Sequence, residues 1–249
     1  MMSLTTTSLV ETVKNQYFYK LKANIDSFSS LVGIQSLAML FSLGGVGSSG
    51  FSGGDISVNI KYYSSDMIFV FTMIWAFITA ITITTKPYRN YDFTFVTNRL
   101  SSSLANVLFL GSAGLLGAIT SVLSGNLLQI ISALFMDEQL YHLSGGSSHY
   151  ILGILTTFFY LFLISSIGYF IGTLVQISKV FVVIIPVLFI GTLFFQAFSL
   201  KEKEPFFWNM IQFYTTETTV SLFILKAVLT TVAFFTLATS VLNRLEVKR

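Results

Sequence analysis

The residues able to bind or react are few, and they fall between long apolar runs. His142 and His149 stand seven residues apart, near Asp137 and Glu138. Such a set can ligate an external metal, but it lacks closely spaced paired ligands and reads as a solvated polar loop. No H-E-x-x-H or G-x-S-x-G sequence occurs, and no Ser-His or paired-Asp arrangement lies within the apolar runs. The absence of cysteine removes disulfides, thiolate catalysis and cysteine metal sites together. There is no G-x-x-x-x-G-K-S/T loop, so ATP hydrolysis by that machinery requires a different polypeptide. No reactive set converges, and the chain is expected to be non-catalytic by itself, with no metal and no directly bound cofactor. Asp66 reads as a cap at a helix end, and Lys226, inside an apolar run, either snorkels or faces protein.

The elements around these residues are membrane helices. Hydrophobic residues make up 53% of the 249 residues and charged residues only 10%, against about 25% charged in a soluble domain. Lipid accommodates such a surface if the backbone is satisfied internally. A span needs roughly 20 apolar residues. Six stretches qualify: about Phe28 to Val46, Asp66 to Thr85, Leu104 to Phe135, Tyr150 to Val175, Val180 to Phe198, and Thr219 to Leu242. The fold class is therefore an all-α integral membrane protein with six transmembrane helices in a single domain. The third stretch exceeds one perpendicular crossing, so it tilts, extends past the membrane or breaks near Ser124 and Gly125. Pro186 is placed to kink the fifth.

Charge sets the orientation. Lys14, Lys20, Lys22, Lys86, Arg89, Arg99, Lys179, Arg244, Lys248 and Arg249 fall on one side, and Lys61, Lys201 and Lys203 on the other. Cytoplasmic loops are enriched in Lys and Arg, which puts both termini in the cytoplasm and requires an even number of spans. The net charge of +3 is scattered between spans and forms no nucleic-acid recognition stripe. The first residues, MMSLTTTSLVETVKNQ, lack the basic and apolar regions of a signal peptide.

Shorter features refine this outline. Val10, Val13, Tyr17, Leu21, Ile25 and Phe28 recur at helical spacing, predicting an amphipathic interfacial helix over 8–27. It is either a lead-in to the first span or an elbow bracing the bundle. SLGGVGSSGFSGGD predicts a flexible external loop without regular structure. Residues 201–217, rich in aromatics after Pro205, predict outer interfacial or re-entrant helices. Phe206, Phe207, Trp208 and Phe213 are candidates there for an outer gate or interface, or for a simple aromatic belt. Gly111, Gly114, Gly117, Gly168 and Gly172 are packing candidates, within the chain or between subunits. Gln35, Thr72, Thr79, Thr82, Thr84, Gln129, Gln176 and Gln196 either line a route between helices or satisfy one another.

The loop over 86–103, KPYRNYDFTFVTNRLSSS, is polar and compatible with a short cytoplasmic helix. It is suited to couple a motor to two spans, although Arg89 and Arg99 also follow the positive-inside bias. With six spans, an amphipathic start, this loop and apolar outer helices before the last span, the chain resembles the permease subunits of ABC-2 type exporters along its whole length. Val96-Thr97-Asn98-Arg99 matches the later part of a coupling element of that family, with Phe95 at its Pro position and Asn106 in place of its following Lys. The ending VLNRLEVKR is similar to permeases of this group from Gram-positive bacteria.

The resemblance implies a multi-pass protein of the bacterial cell membrane. It implies two copies of a soluble ABC ATPase carrying ATP and Mg, and a second permease, identical or paralogous. The expected substrate is an amphipathic peptide or other amphiphile, held near the interface of the two permeases and released outward, with membrane lipid as a further partner. Tyr91, Asp92, Phe93, Phe95, Asn98 and Arg99 become candidates for coupling to the ATPase. Two alternatives remain at this point: a membrane scaffold or sensor partner without transport, and a secondary carrier or channel.

Overall fold

The computed structural model describes residues 8–45, 47–53, 56–62, 64–85, 87–88, 98–135, 147–198, 206–217 and 219–244. Helix α1 spans Leu9–Ala23 and α2 Ile25–Ser42. The Ser8 hydroxyl caps α1 by accepting from the Glu11 N–H at 3.2 Å. Asn24 divides the two helices, and its side-chain amide donates to the Lys20 carbonyl at 2.8 Å.

The glycine- and serine-rich segment after α2 corrects the sequence reading. Strand β1 (Gly47–Gly53) pairs antiparallel with β2 (Ile56–Tyr62), with Gly47 opposite Tyr62 and Gly53 opposite Ile56. Strand propensity comes from the second half, where Ile56, Val58, Ile60 and Tyr62 alternate with polar residues. The Gly/Ser half is ordered by main-chain pairing to it. Among the described residues, the regular structure is thus helical apart from one two-stranded hairpin.

The remaining helices are α3 (Asp66–Ile83), α4 (Arg99–Phe135), α5 (Ser147–Ile177), α6 (Phe181–Phe198), α7 (Phe206–Thr215) and α8 (Val220–Arg244). Five of them, α2, α3, α4, α5 and α8, are long and apolar enough to cross a membrane. Helix α6 is apolar over Phe181–Phe195 but shorter over its described side chains, so the structure supports five spans where the sequence reading has six. Helix α4 has 37 residues and runs unbroken, about 55 Å against about 30 Å of hydrocarbon. No break occurs at Ser124 and Gly125. Gly125 instead lets the start of α3 approach, since a Cβ there would lie 2.8 Å from the Ser65 Cβ.

Helices α3 and α5 form the most extensive pair, α5 also packs on α8, and α1 lies along α4. At one end of the bundle Ala80, Ile83, Phe109, Leu110, Tyr169, Phe235 and Ala238 form a core on which Tyr17 and Leu21 of α1 pack. A middle cluster joins Leu31, Trp75, Ala76, Ala113, Ala118 and Leu161. Near the hairpin, Ala38, Ile68 and Leu128 close the bundle. Alanines and glycines recur at these crossings because small residues allow the close backbone approach that holds helices together in lipid.

Several polar residues within the spans bond to one another or to main-chain carbonyls. Thr72 Oγ1 donates to the Ile68 carbonyl at 2.7 Å, and Gln35 Nε2 donates to Thr72 Oγ1 at 3.1 Å. Thr82 and Thr84 hydroxyls donate to the Ile78 and Ile81 carbonyls. Gln176 of α5 donates through Nε2 to the Thr84 carbonyl at the end of α3. Serines and threonines facing the interior likewise bond back to their own helix.

Candidate functional site

The densest polar arrangement among the described residues lies where α1, the end of α3, the start of α4 and the ends of α5 and α8 meet. It begins with sequence spacing on α1. Gln16, Lys20 and Asn24 recur every four residues, which places them on one helix face, and all three are buried. Lys20 is only 4% exposed. Its Nζ donates to Asn106 Oδ1 at 2.5 Å, and Asn106 Nδ2 donates to the Tyr169 hydroxyl at 3.3 Å. Asn106 is 6% and Tyr169 1% exposed. A cation from α1 is thereby held by an amide on α4 that also reaches α5. Gln16, 5% exposed, has neither amide atom hydrogen bonded, an arrangement that costs about 1–3 kcal/mol.

Arg99 opens α4 and stands seven residues before Asn106, two turns away on the same face. Its Nη1 donates to the Leu242 carbonyl at 2.7 Å, in the last turns of α8. A free carbonyl at a helix end attracts a cation through both the missing hydrogen bond and the helix dipole. Asn98 precedes α4, and its carbonyl accepts from the Ser101 hydroxyl at 2.6 Å and the Ser102 N–H at 3.2 Å. The first two turns of α4 are therefore bonded to α1, α5 and α8, while Gln176 joins α5 to α3. Beside this junction a cavity of about 380 Å³ is lined by Tyr19, Lys20, Asn24, Ile83, Pro87 and Tyr88.

Of the coupling candidates, the structure brings Asn98 and Arg99 to this junction. Tyr91, Asp92, Phe93 and Phe95 lie outside the described residues. Sequence reasoning missed Lys20, Asn106 and Tyr169 as a network. The signal was present as a polar stripe, Gln16-Lys20-Asn24, beside the apolar stripe that was followed. The burial also shifts the docked face of α1, because Val13 is buried while Val10 is largely exposed.

At the opposite end, α7 is tied to α8. Lys226 Nζ pairs with the Glu217 carboxylate, donates to the Phe213 carbonyl at 3.3 Å and lies 4.0 Å from the Phe213 ring centroid. The intramembrane lysine thus faces protein. Tyr160 of α5 donates to the Tyr214 carbonyl at 3.3 Å, which joins α7 to a third helix. Phe206, Phe207 and Trp208 belong to α7, with side chains outside the described residues.

The glycine candidates all face neighbouring helices of the same chain. A Cβ on Gly168 would meet the Phe77 carbonyl oxygen at 2.7 Å, and one on Gly172 would collide with Thr84. Gly117 is tight against Leu161 and Thr72, whereas Gly111 and Gly114 have ordinary contact distances around them. Among the described residues no group of three or more His, Asp or Glu is placed to hold a metal. Asp137, Glu138 and His142 lie outside those residues, as does the side chain of His149. No protein-family model, curated protein or solved structure matches the chain.

Proposed function

We propose that this multi-pass membrane protein is the transmembrane subunit of an ATP-driven exporter of the ABC-2 type. It pairs with a second permease, identical or paralogous, above two copies of a soluble ATPase that binds ATP and Mg. The chain is not catalytic itself and moves an amphipathic peptide or other amphiphile outward. The observation that carries this reading is the interlock at the head of α4. Arg99 and Asn106 hang α8, α1 and α5 on the two turns that immediately follow the loop between α3 and α4. A displacement applied to that loop by a soluble motor reaches four helices through hydrogen bonds, without requiring any helix to bend.

A six-span arrangement is part of this reading. Gln176 lies against the end of α3, so α5 ends at the junction. Tyr214 and Phe223 lie against Tyr160 in the opposite half of α5. A return across the bundle along α6, between Ile177 and Val220, fits these contacts. On this reading, six crossings put both termini on the basic, cytoplasmic side of a bacterial cell membrane.

Arg99→Ala tests the coupling role. The variant is expected to assemble with its partners but to lose most substrate-stimulated ATP hydrolysis and transport. Coupled transport at the wild-type rate contradicts the assignment.

A further inference from the structure

We infer that the lateral groove between α2 and α3 is a docking site for a basic residue of a cationic amphipathic peptide, reached from the lipid. This deepens the exporter reading by naming a substrate class and rests on that reading for the direction of travel. The groove has a volume of about 370 Å³ and runs along the halves of α2 and α3 nearest the junction. That size is at the lower end of ligand pockets, enough for a basic side chain with an apolar neighbour and too small for a whole peptide.

Its chemistry is one-sided. Asp26, in the first turn of α2, lines the groove, is exposed and makes no ion pair among the described residues. Three of the donors around it are already committed. Trp75 Nε1 donates to the Ser27 carbonyl and to Ser30 Oγ, both at 3.0 Å. Ser30 Oγ donates in turn to the Ser27 carbonyl at 2.8 Å, and Thr82 Oγ1 donates to the Ile78 carbonyl at 2.8 Å. The one charged group lining the groove is thus a carboxylate, beside Ser27 and Thr79 hydroxyls that can accept as well as donate. A hydrogen-bond-donating cation, an ammonium or a guanidinium, complements that surface, and an anion does not.

The polar and apolar parts are also ordered along the helices. Asp26 marks the end beside the junction. Ile34, also lining the groove, stands two turns deeper, about 12 Å along α2. With Ile78 and the indole of Trp75 it supplies an apolar wall. An amphipathic peptide seated here keeps its charge at the interface and its apolar residue in the hydrocarbon.

The test uses the full-length protein in phosphatidylcholine nanodiscs, with three amphipathic probe peptides built from Leu/Lys, Leu/Glu and Leu/Gln, each carrying a photoreactive leucine. Crosslinks are mapped by mass spectrometry. The Leu/Lys peptide is expected to label the α2 and α3 residues of the groove in preference to the other two. Asp26→Asn should reduce that labelling about threefold to fivefold, the loss expected for one exposed charge contact. Asp26→Lys should move the preference to the Leu/Glu peptide. Ile78→Trp, which fills the groove and leaves its charge alone, should also abolish labelling. Equal labelling by Leu/Lys and Leu/Gln, insensitivity to Asp26→Asn, or a phospholipid held in the groove that the Leu/Lys peptide does not displace would overturn the proposal. The labelling needs no ATPase. Its failure in a protein that co-purifies with one removes the groove and leaves the exporter, and its success without one does the reverse.

Discussion

Lys20 and Lys226 show how single cations organise the two ends of this bundle. A lysine removed from water is costly unless its donors are used and its charge is met. Lys20 meets an amide and Lys226 a carboxylate and an aromatic face. Lys20→Met should leave Asn106 Oδ1 without its donor and destabilise the docked α1 by about 1–3 kcal/mol. Asn106→Leu in the same chain should recover part of that loss, which a double-mutant cycle of thermal unfolding in detergent measures. Simple additivity of the two changes would show that the bond contributes nothing. Lys226→Met should instead loosen α7 while leaving the junction intact. The chain has no cysteine, so Gln212→Cys reports on α7 without background. Its maleimide labelling rate should rise about fivefold in the Lys226→Met background, as for a loss of about 1 kcal/mol. An unchanged rate would mean that α7 is held by other contacts. These roles were hard to read beforehand because a lysine near a helix end and a lysine inside a span look the same in sequence, whether they face water, lipid or protein.

At the scale of elements, the apolar runs made the helices legible, because lipid imposes a length and a composition that a soluble core does not. What the composition hid was continuity and pairing. Ser124 and Gly125 read as a possible break in α4, yet Gly125 sits where α3 begins and needs the missing Cβ for packing. The Gly/Ser segment after α2 read as a flexible loop because its partner strand lies on the far side of a turn. The G-x-x-x-G pair was visible, but only the structure shows that it meets α3 of the same chain. Gly168→Ala should therefore cost about 1–3 kcal/mol through forced displacement of the Phe77 backbone. Gly153→Ala and Gly191→Ala, with nothing within 4 Å of the added Cβ, should be tolerated. Equal yields of folded protein from all three would contradict the packing described for α3 and α5.

For the whole molecule, the arrangement is a helical bundle with one end densely hydrogen bonded and basic, and the other closed by a hairpin and a tethered aromatic helix. The membrane class was legible in composition alone. The residues 89–97, which carry most of the coupling candidates, lie outside the described residues. The functional claim therefore rests on how the head of α4 grips its neighbours. The proposed transport cycle draws its energy from a partner ATPase. The most direct measurement is purification of the native complex in mild detergent followed by intact-mass analysis of its subunits. The exporter account predicts two permease chains and two copies of a soluble ATPase in one assembly. Recovery of the chain without an ATPase, under conditions that keep other membrane complexes together, would contradict it and favour a scaffold or an ion-driven carrier.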